Sequence, residues 1–152
     1  MKNTYCILLL SLVGLLGACK KKEDTTPVTP PTTSNITNLV APINGAQQVP
    51  LNNSTASGSF VGAYNADTKV LTYTVTYTGM TPTMGHLHTG APGVNGPVTV
   101  PFAPPLTSPI TGTATLTPEQ ADNLLNGRMY VNLHSPAPFV AGEIRGDVKK
   151  VF

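Results

Sequence analysis

The stretch KVLTYTVTY, residues 69–77, alternates without a break: Leu71, Tyr73, Val75 and Tyr77 fall on one side, Thr72, Thr74 and Thr76 on the other. A period of two belongs to a β-strand, whose successive side chains leave opposite faces; a helix would scatter the same apolar residues around its circumference. Thr, Val and Tyr also fit a pleated, half-buried surface. Upstream, SGSFVGAYN (residues 57–65) alternates more loosely, and ADTK between the two runs reads as the turn of a hairpin. Further short runs follow, GHLHT, GPVTVPF, ITGTATL, RMYVNLH and GEIRGDVKKVF, parted by Gly and Pro clusters. The helix candidate is TPEQADNLLNG (residues 117–127), with Thr117 suited to the N-cap, Pro118 to the first helical position and Gly127 to the stop. One short helix among many short strands predicts an all-β fold, an antiparallel β-sandwich or Greek-key barrel.

The strand pattern occupies residues 36–152, room for one domain of ordinary size. What precedes it reads differently. Lys2 is followed by an apolar run over residues 5–16, broken only by Ser11 and Gly14, and then by Gly17, Ala18 and Cys19. The run is too short to cross about 30 Å of hydrocarbon, and a basic start with small residues before a cut site marks a secretory signal. The order LLGAC resembles the bacterial lipoprotein signal, which implies removal of residues 1–18 and lipidation of Cys19. Residues 19–35 turn from Lys20–Lys22 and two acids to Thr and Pro with no apolar period. Such a segment cannot bury enough surface to order itself, and its prolines make it an extended, disordered tether. The expected location is extracytoplasmic, anchored to a bacterial membrane on the periplasmic face or at the cell surface.

Charge and residue types exclude several functions for the domain. Lys69, Arg128, Arg145, Lys149 and Lys150 are balanced by Asp67, Glu119, Asp122, Glu143 and Asp147, so the chain's formal net charge of +2 belongs to the N-terminal segments. A neutral domain with no basic stripe argues against nucleic acid as a partner. Cys6 and Cys19 both precede the domain, which therefore has neither a disulfide nor a thiol nucleophile. The carboxylates sit in separate elements, and the serines lie in turns without a nucleophile-elbow context. GAPGVNG (residues 90–96) leads from strand to strand, so its glycines suit a long hairpin loop better than a phosphate cradle. Glu143 and Arg145 share a face at strand spacing and read as a surface ion pair or a strut for a neighbouring loop.

The histidines carry the remaining chemistry. At strand spacing His86 and His88 project together, with Met84 at the same parity and Leu87 opposite. In RMYVNLH, Met129, Val131 and Leu133 make the apolar face and leave Tyr130, Asn132 and His134 on the other. If these strands are neighbours, His86, His88 and His134 converge on one outer patch. Three imidazoles suit zinc or copper, and a thioether from Met84 would bias the site toward copper. A second reading needs no metal: a histidine at a strand end donates its ring N–H to a turn carbonyl and braces the adjacent loop.

The run GHLHTGAPGVNGPVTVPF, followed downstream by LLNGRMYVNLHSPAPFVAGEIRGDV, resembles the chordin-type domain, CHRD. The resemblance spans roughly residues 40–148 and includes the His-x-His strand, the GPV turn, the YVNLHS strand and the closing GEIRG. It implies a fold and little chemistry, the family having no firmly established biochemical activity. The layout is also similar to the copper/zinc superoxide dismutase sandwich, where a His-x-His strand supplies metal ligands. Here three histidines in total leave no imidazole for a bridging ligand or a complete second metal site. The expectation is a non-catalytic cell-envelope binding or interaction module. It would be held to a membrane through Cys19, hold one copper or zinc ion, and meet a protein or glycan partner at the cell surface. The alternatives are a metal-dependent, superoxide-dismutase-like redox enzyme and a purely structural surface protein without metal.

Overall fold

A computed structural model of the chain describes residues 35–152. The signal expected over residues 1–18 and, but for Asn35, the tether over residues 19–35, Cys19 included, lie outside the described residues.

The alternation read in the sequence becomes a hairpin of two nine-residue strands, β2 (Ser57–Asn65) and β3 (Val70–Thr78). Its turn is held by Asn65, whose Oδ1 accepts from the backbone N–H groups of Asp67 and Thr68 at 2.9 and 3.0 Å, and Lys69 closes it at φ 61°. Further strands are β1 (Ile36–Asn44), β4 (Met84–Thr89), β5 (Val98–Pro101), β6 (Ile110–Thr115), β7 (Met129–His134), β8 (Ile144–Asp147) and β9 (Lys149–Lys150). All pairings are antiparallel and run in the order β5-β4-β7-β8-β1-β2-β3-β6, with β9 alongside β1.

The two ends of that path approach each other across the core. Phe102, just past β5, meets Tyr73 of β3 with ring centroids 4.9 Å apart, and Tyr73 stacks toward Phe60 of β2 at 6.3 Å. The sheet is thus rolled nearly into a barrel, within the all-β sandwich or barrel that the sequence led one to expect. Inward residues fill it: Leu39 and Ile43 from β1, Leu71 and Val75 from β3, Leu87 from β4, Val131 and Leu133 from β7, Ile144 from β8. Burying each such side chain contributes about 1.5–3 kcal/mol, so this layer is the principal source of stability in a domain without a disulfide. Helix α1 (Pro118–Leu125) carries the expected N-terminus as a capping box. The Thr117 side chain accepts from the Gln120 amide, and the Gln120 side chain accepts from the Thr117 amide. Its Ala121 and Leu124 face the core, and Gly127 at φ 67° ends it.

Strand β1 is the element that the alternation did not announce. Pro42 cannot donate to a sheet ladder, which ordinarily argues against a central strand. It is accommodated because it falls between the residues that pair with β9 (Leu39, Val40) and the one that pairs with β8 (Asn44). The closest approach there is made by Gly146 of β8, where a Cβ would come within 2.2 Å of the Pro42 carbonyl oxygen. The closing run GEIRGDVKKVF, read as one segment, divides into β8 and β9. No helix among the described residues is long and apolar enough to cross a membrane.

Candidate metal centre

The site forms where β4 lies against β7. Their register pairs Met84 with His134, His86 with Asn132 and His88 with Tyr130, so Met84, His86, His88, Tyr130, Asn132 and His134 share one face. The opposite face carries Leu87, Val131 and Leu133 into the core. The three histidines converge as expected. Ring centroids are 5.4 Å apart for His86 and His88, 5.2 Å for His86 and His134, and 6.3 Å for His88 and His134. One nitrogen from each can be chosen so that all three lie within 4.8 Å of one another. Nitrogens on a common tetrahedral ion, bound at about 2.0–2.1 Å, stand about 3.3 Å apart. Closing the trio onto an ion therefore needs side-chain movements on the order of 1 Å.

The expected outer patch is instead a covered one. His88 and His134 are each only 8 % exposed, because the loops of residues 90–97 and 135–143 fold back over this face. The same loops fix the rings. His88 Nδ1 lies 2.9 Å from the Gly96 carbonyl oxygen and His134 Nδ1 lies 3.0 Å from that of Val140. A carbonyl only accepts, so in the neutral ring each Nδ1 carries the hydrogen and each Nε2 presents a lone pair. Those two Nε2 atoms are buried without a hydrogen-bond partner, and so is Nδ1 of His86. An unpaired buried polar atom costs about 1–3 kcal/mol, and each of the three rings in the cluster carries one.

Burial pushes the His86 ring below its ordinary pKa, and the neighbouring His134 and His88 add to the shift. The His88 ring is pushed down likewise, first by burial. Its bond to the Gly96 carbonyl opposes the shift, while His134 and Arg145 reinforce it. Both effects favour neutral imidazole, the form that binds a metal. Met84 stands opposite His134 in the register but is 45 % exposed, at the rim of the cluster.

Glu143 and Arg145 do not form the surface ion pair that their spacing suggested; both are buried, and each has other partners. The Glu143 carboxylate accepts from the Ser54 hydroxyl at 2.7 Å and from the Ser135 hydroxyl. It thereby ties the segment before β2 to the residue after His134. Arg145 reaches the loop of residues 90–97 and stacks on Tyr130, so the strut reading holds and the surface reading fails. Sequence reasoning placed Tyr130 on the histidine face but gave it no part. In the fold it stacks on His88, with centroids 4.8 Å apart and planes 7° from parallel. Gln48, which donates to Asn132 Oδ1 at 2.6 Å, carried no sequence signal at all.

Fold and site together define an antiparallel, nearly closed barrel-like domain with a three-histidine cluster largely covered by its loops. The model of the CHRD domain family matches residues 39–148, and the chain belongs to that family. Comparison with curated proteins gives no match, and neither does comparison with solved structures.

Proposed function

We propose that this CHRD domain is a non-catalytic binding module that holds one zinc or copper ion on His86, His88 and His134. The observation that carries the reading is that each ring of the cluster has one buried nitrogen without a partner, while the other nitrogen of His88 and of His134 is already bonded to a loop carbonyl. Loop bracing alone, the metal-free alternative, accounts for Nδ1 of His88 and His134. It leaves both Nε2 atoms and the His86 Nδ1 unexplained. A metal-bound histidine ordinarily donates its second nitrogen to a carbonyl or carboxylate, which fixes the tautomer, and two of the three rings already do so. His86 would then bind through Nδ1, and the half-exposed Met84 at the rim would add a soft donor that favours copper. Three protein nitrogens leave a coordination position for water or a partner's donor group.

The sequence LLGAC supports a location for the module: lipidation at Cys19 and a Thr/Pro tether holding the domain outside the cytoplasm, within reach of protein or glycan partners. The test of the metal reading is an equilibrium titration of the full chain with Zn(II) and with copper against a competing chelator. One equivalent bound by the wild-type chain and lost in His88→Ala is expected. No uptake at micromolar metal would return the histidines to the bracing role, and uptake unchanged in His88→Ala would put the ion elsewhere.

A further inference from the structure

We propose that Arg145 is a positioning residue for the histidine centre, orienting His88 through Tyr130 and the loop of residues 90–97. This deepens the metal-binding reading and rests on it. Arg145 is 1 % exposed and belongs to β8, which does not itself carry a ligand. Its guanidinium carbon lies 3.5 Å from the centroid of the Tyr130 ring. Strands β4 and β8 flank β7 on opposite sides, so the Tyr130 ring stands between the guanidinium and the His88 imidazole that stacks on it.

The same guanidinium grips the loop. Nη1 donates to Asn95 Oδ1 at 3.1 Å and Nη2 to the Val94 carbonyl at 3.1 Å, while Nη2 also reaches Asp147 Oδ1 at 3.3 Å. Asn95 in turn donates to the Val49 carbonyl at 2.8 Å, and the Gly96 amide donates to the Tyr130 hydroxyl at 3.1 Å. Residues 94, 95 and 96 are thus held one after another, and the next atom in the chain of contacts is the Gly96 oxygen that fixes His88 Nδ1. There is no slack at that point: a Cβ on Gly96 would stand 1.7 Å from the Thr89 carbonyl oxygen.

Two effects of Arg145 on a bound dication oppose each other. Its positive charge repels the ion, so removing the charge alone would tighten binding. Its planar fork and stacked face hold the ring, so removing the geometry loosens binding. Asp147 offsets part of the charge, whereas nothing else takes over the two loop contacts and the stack at once. Geometry therefore outweighs charge. Loss of such an orienting contact typically weakens a metal site by about 10–100-fold. Lysine restores the charge but neither the fork nor the stack.

The experiment compares Arg145→Lys, Arg145→Met and Asn95→Ala in the full chain. Asn95 is exposed, so the third variant keeps the core intact. Zn(II) affinity is read by chelator competition. The His88 ring tautomer is read in the metal-free state from two-bond ¹H–¹⁵N spectra. Expected are zinc binding weakened about tenfold or more in both Arg145 variants, weaker binding in Asn95→Ala, and a His88 ring no longer held as the Nδ1–H tautomer. Tighter zinc binding in Arg145→Met, or wild-type affinity in Arg145→Lys, would show that only charge acts and overturn the proposal. A His88 tautomer unchanged in all three variants would overturn it whatever the metal result. Failure of the wild-type chain to bind zinc removes the metal reading, and the tautomer measurement still decides whether Arg145 positions His88.

Discussion

Replacing His134 by alanine separates the two jobs assigned to this ring. The wild-type ring donates Nδ1–H to the Val140 carbonyl, keeps a buried, unpartnered Nε2, and lies 5.2 and 6.3 Å by ring centroid from His86 and His88. An ion that binds only the folded chain stabilises it by RT ln(1 + [L]/Kd), about 1.4 kcal/mol for each tenfold rise in free metal above Kd. In a domain of this size about 1 kcal/mol moves Tm by about 4 °C. The wild-type Tm should therefore climb about 5–6 °C per decade of free zinc once the site begins to fill. His134→Ala should show two changes. Its metal-free Tm should fall, because the lost hydrogen bond to the Val140 carbonyl, about 1 kcal/mol, and the cavity left by the buried ring together outweigh the relief of one unpaired Nε2. Its dependence on zinc should vanish over the range in which the wild-type chain responds. Calorimetric scans at graded buffered zinc give both quantities. A flat wild-type profile would refute the metal site. A wild-type slope retained in His134→Ala would refute its composition, and an unchanged metal-free Tm would refute the brace.

Leu87 lies between the two β4 histidines but points into the core, fully buried, so Leu87→Ala should cost about 2–5 kcal/mol in denaturant unfolding. It should still bind one equivalent of zinc; loss of the metal would mean that the two faces of β4 are not independent. The His86 and His88 rings titrate below the ordinary histidine value in the folded chain. Their contribution to metal-free stability should thus be complete above about pH 6.5 and decline as the pH falls through the folded-state values. Urea titrations between pH 8 and 5 measure this, and stability that rises on acidification across that window would contradict it. Cys19→Ser should release the chain from membranes or leave its N-terminal segment uncut in cell fractionation. A processed chain that still sediments with membranes would refute lipidation there.

The strands whose inward faces are apolar and whose outward faces are Thr and Ser announced themselves, and β2 and β3 stand within a residue of where their alternation put them. The capping residues of α1 were equally readable, since a cap is a local device. Strand β1 did not stand out because apolar Val40 and Pro42 fill the outward positions between Leu39, Ala41 and Ile43 and blur the period of two. Parity correctly placed the three histidines on one face, because strand geometry is local. The burial of His88 and His134 was not readable: every residue of β7 is buried, covered on the polar face by loops whose path depends on long-range ties such as Arg145 to Asn95 and Asn52 to the Gly142 and Glu143 carbonyls. The same limit misplaced Arg145 and Glu143. A charged pair at strand spacing reads as a solvated face unless one knows that loops return over it.

The most direct test of the central claim is the two-bond ¹H–¹⁵N spectrum of the three histidine rings, with and without one equivalent of Zn(II). The arrangement of contacts predicts that His88 and His134 keep the Nδ1 hydrogen and shift at Nε2 on adding zinc, while His86 shifts at Nδ1, all three saturating together at one equivalent. Three rings whose spectra do not change with zinc would contradict the account and leave the histidines as braces for the loops.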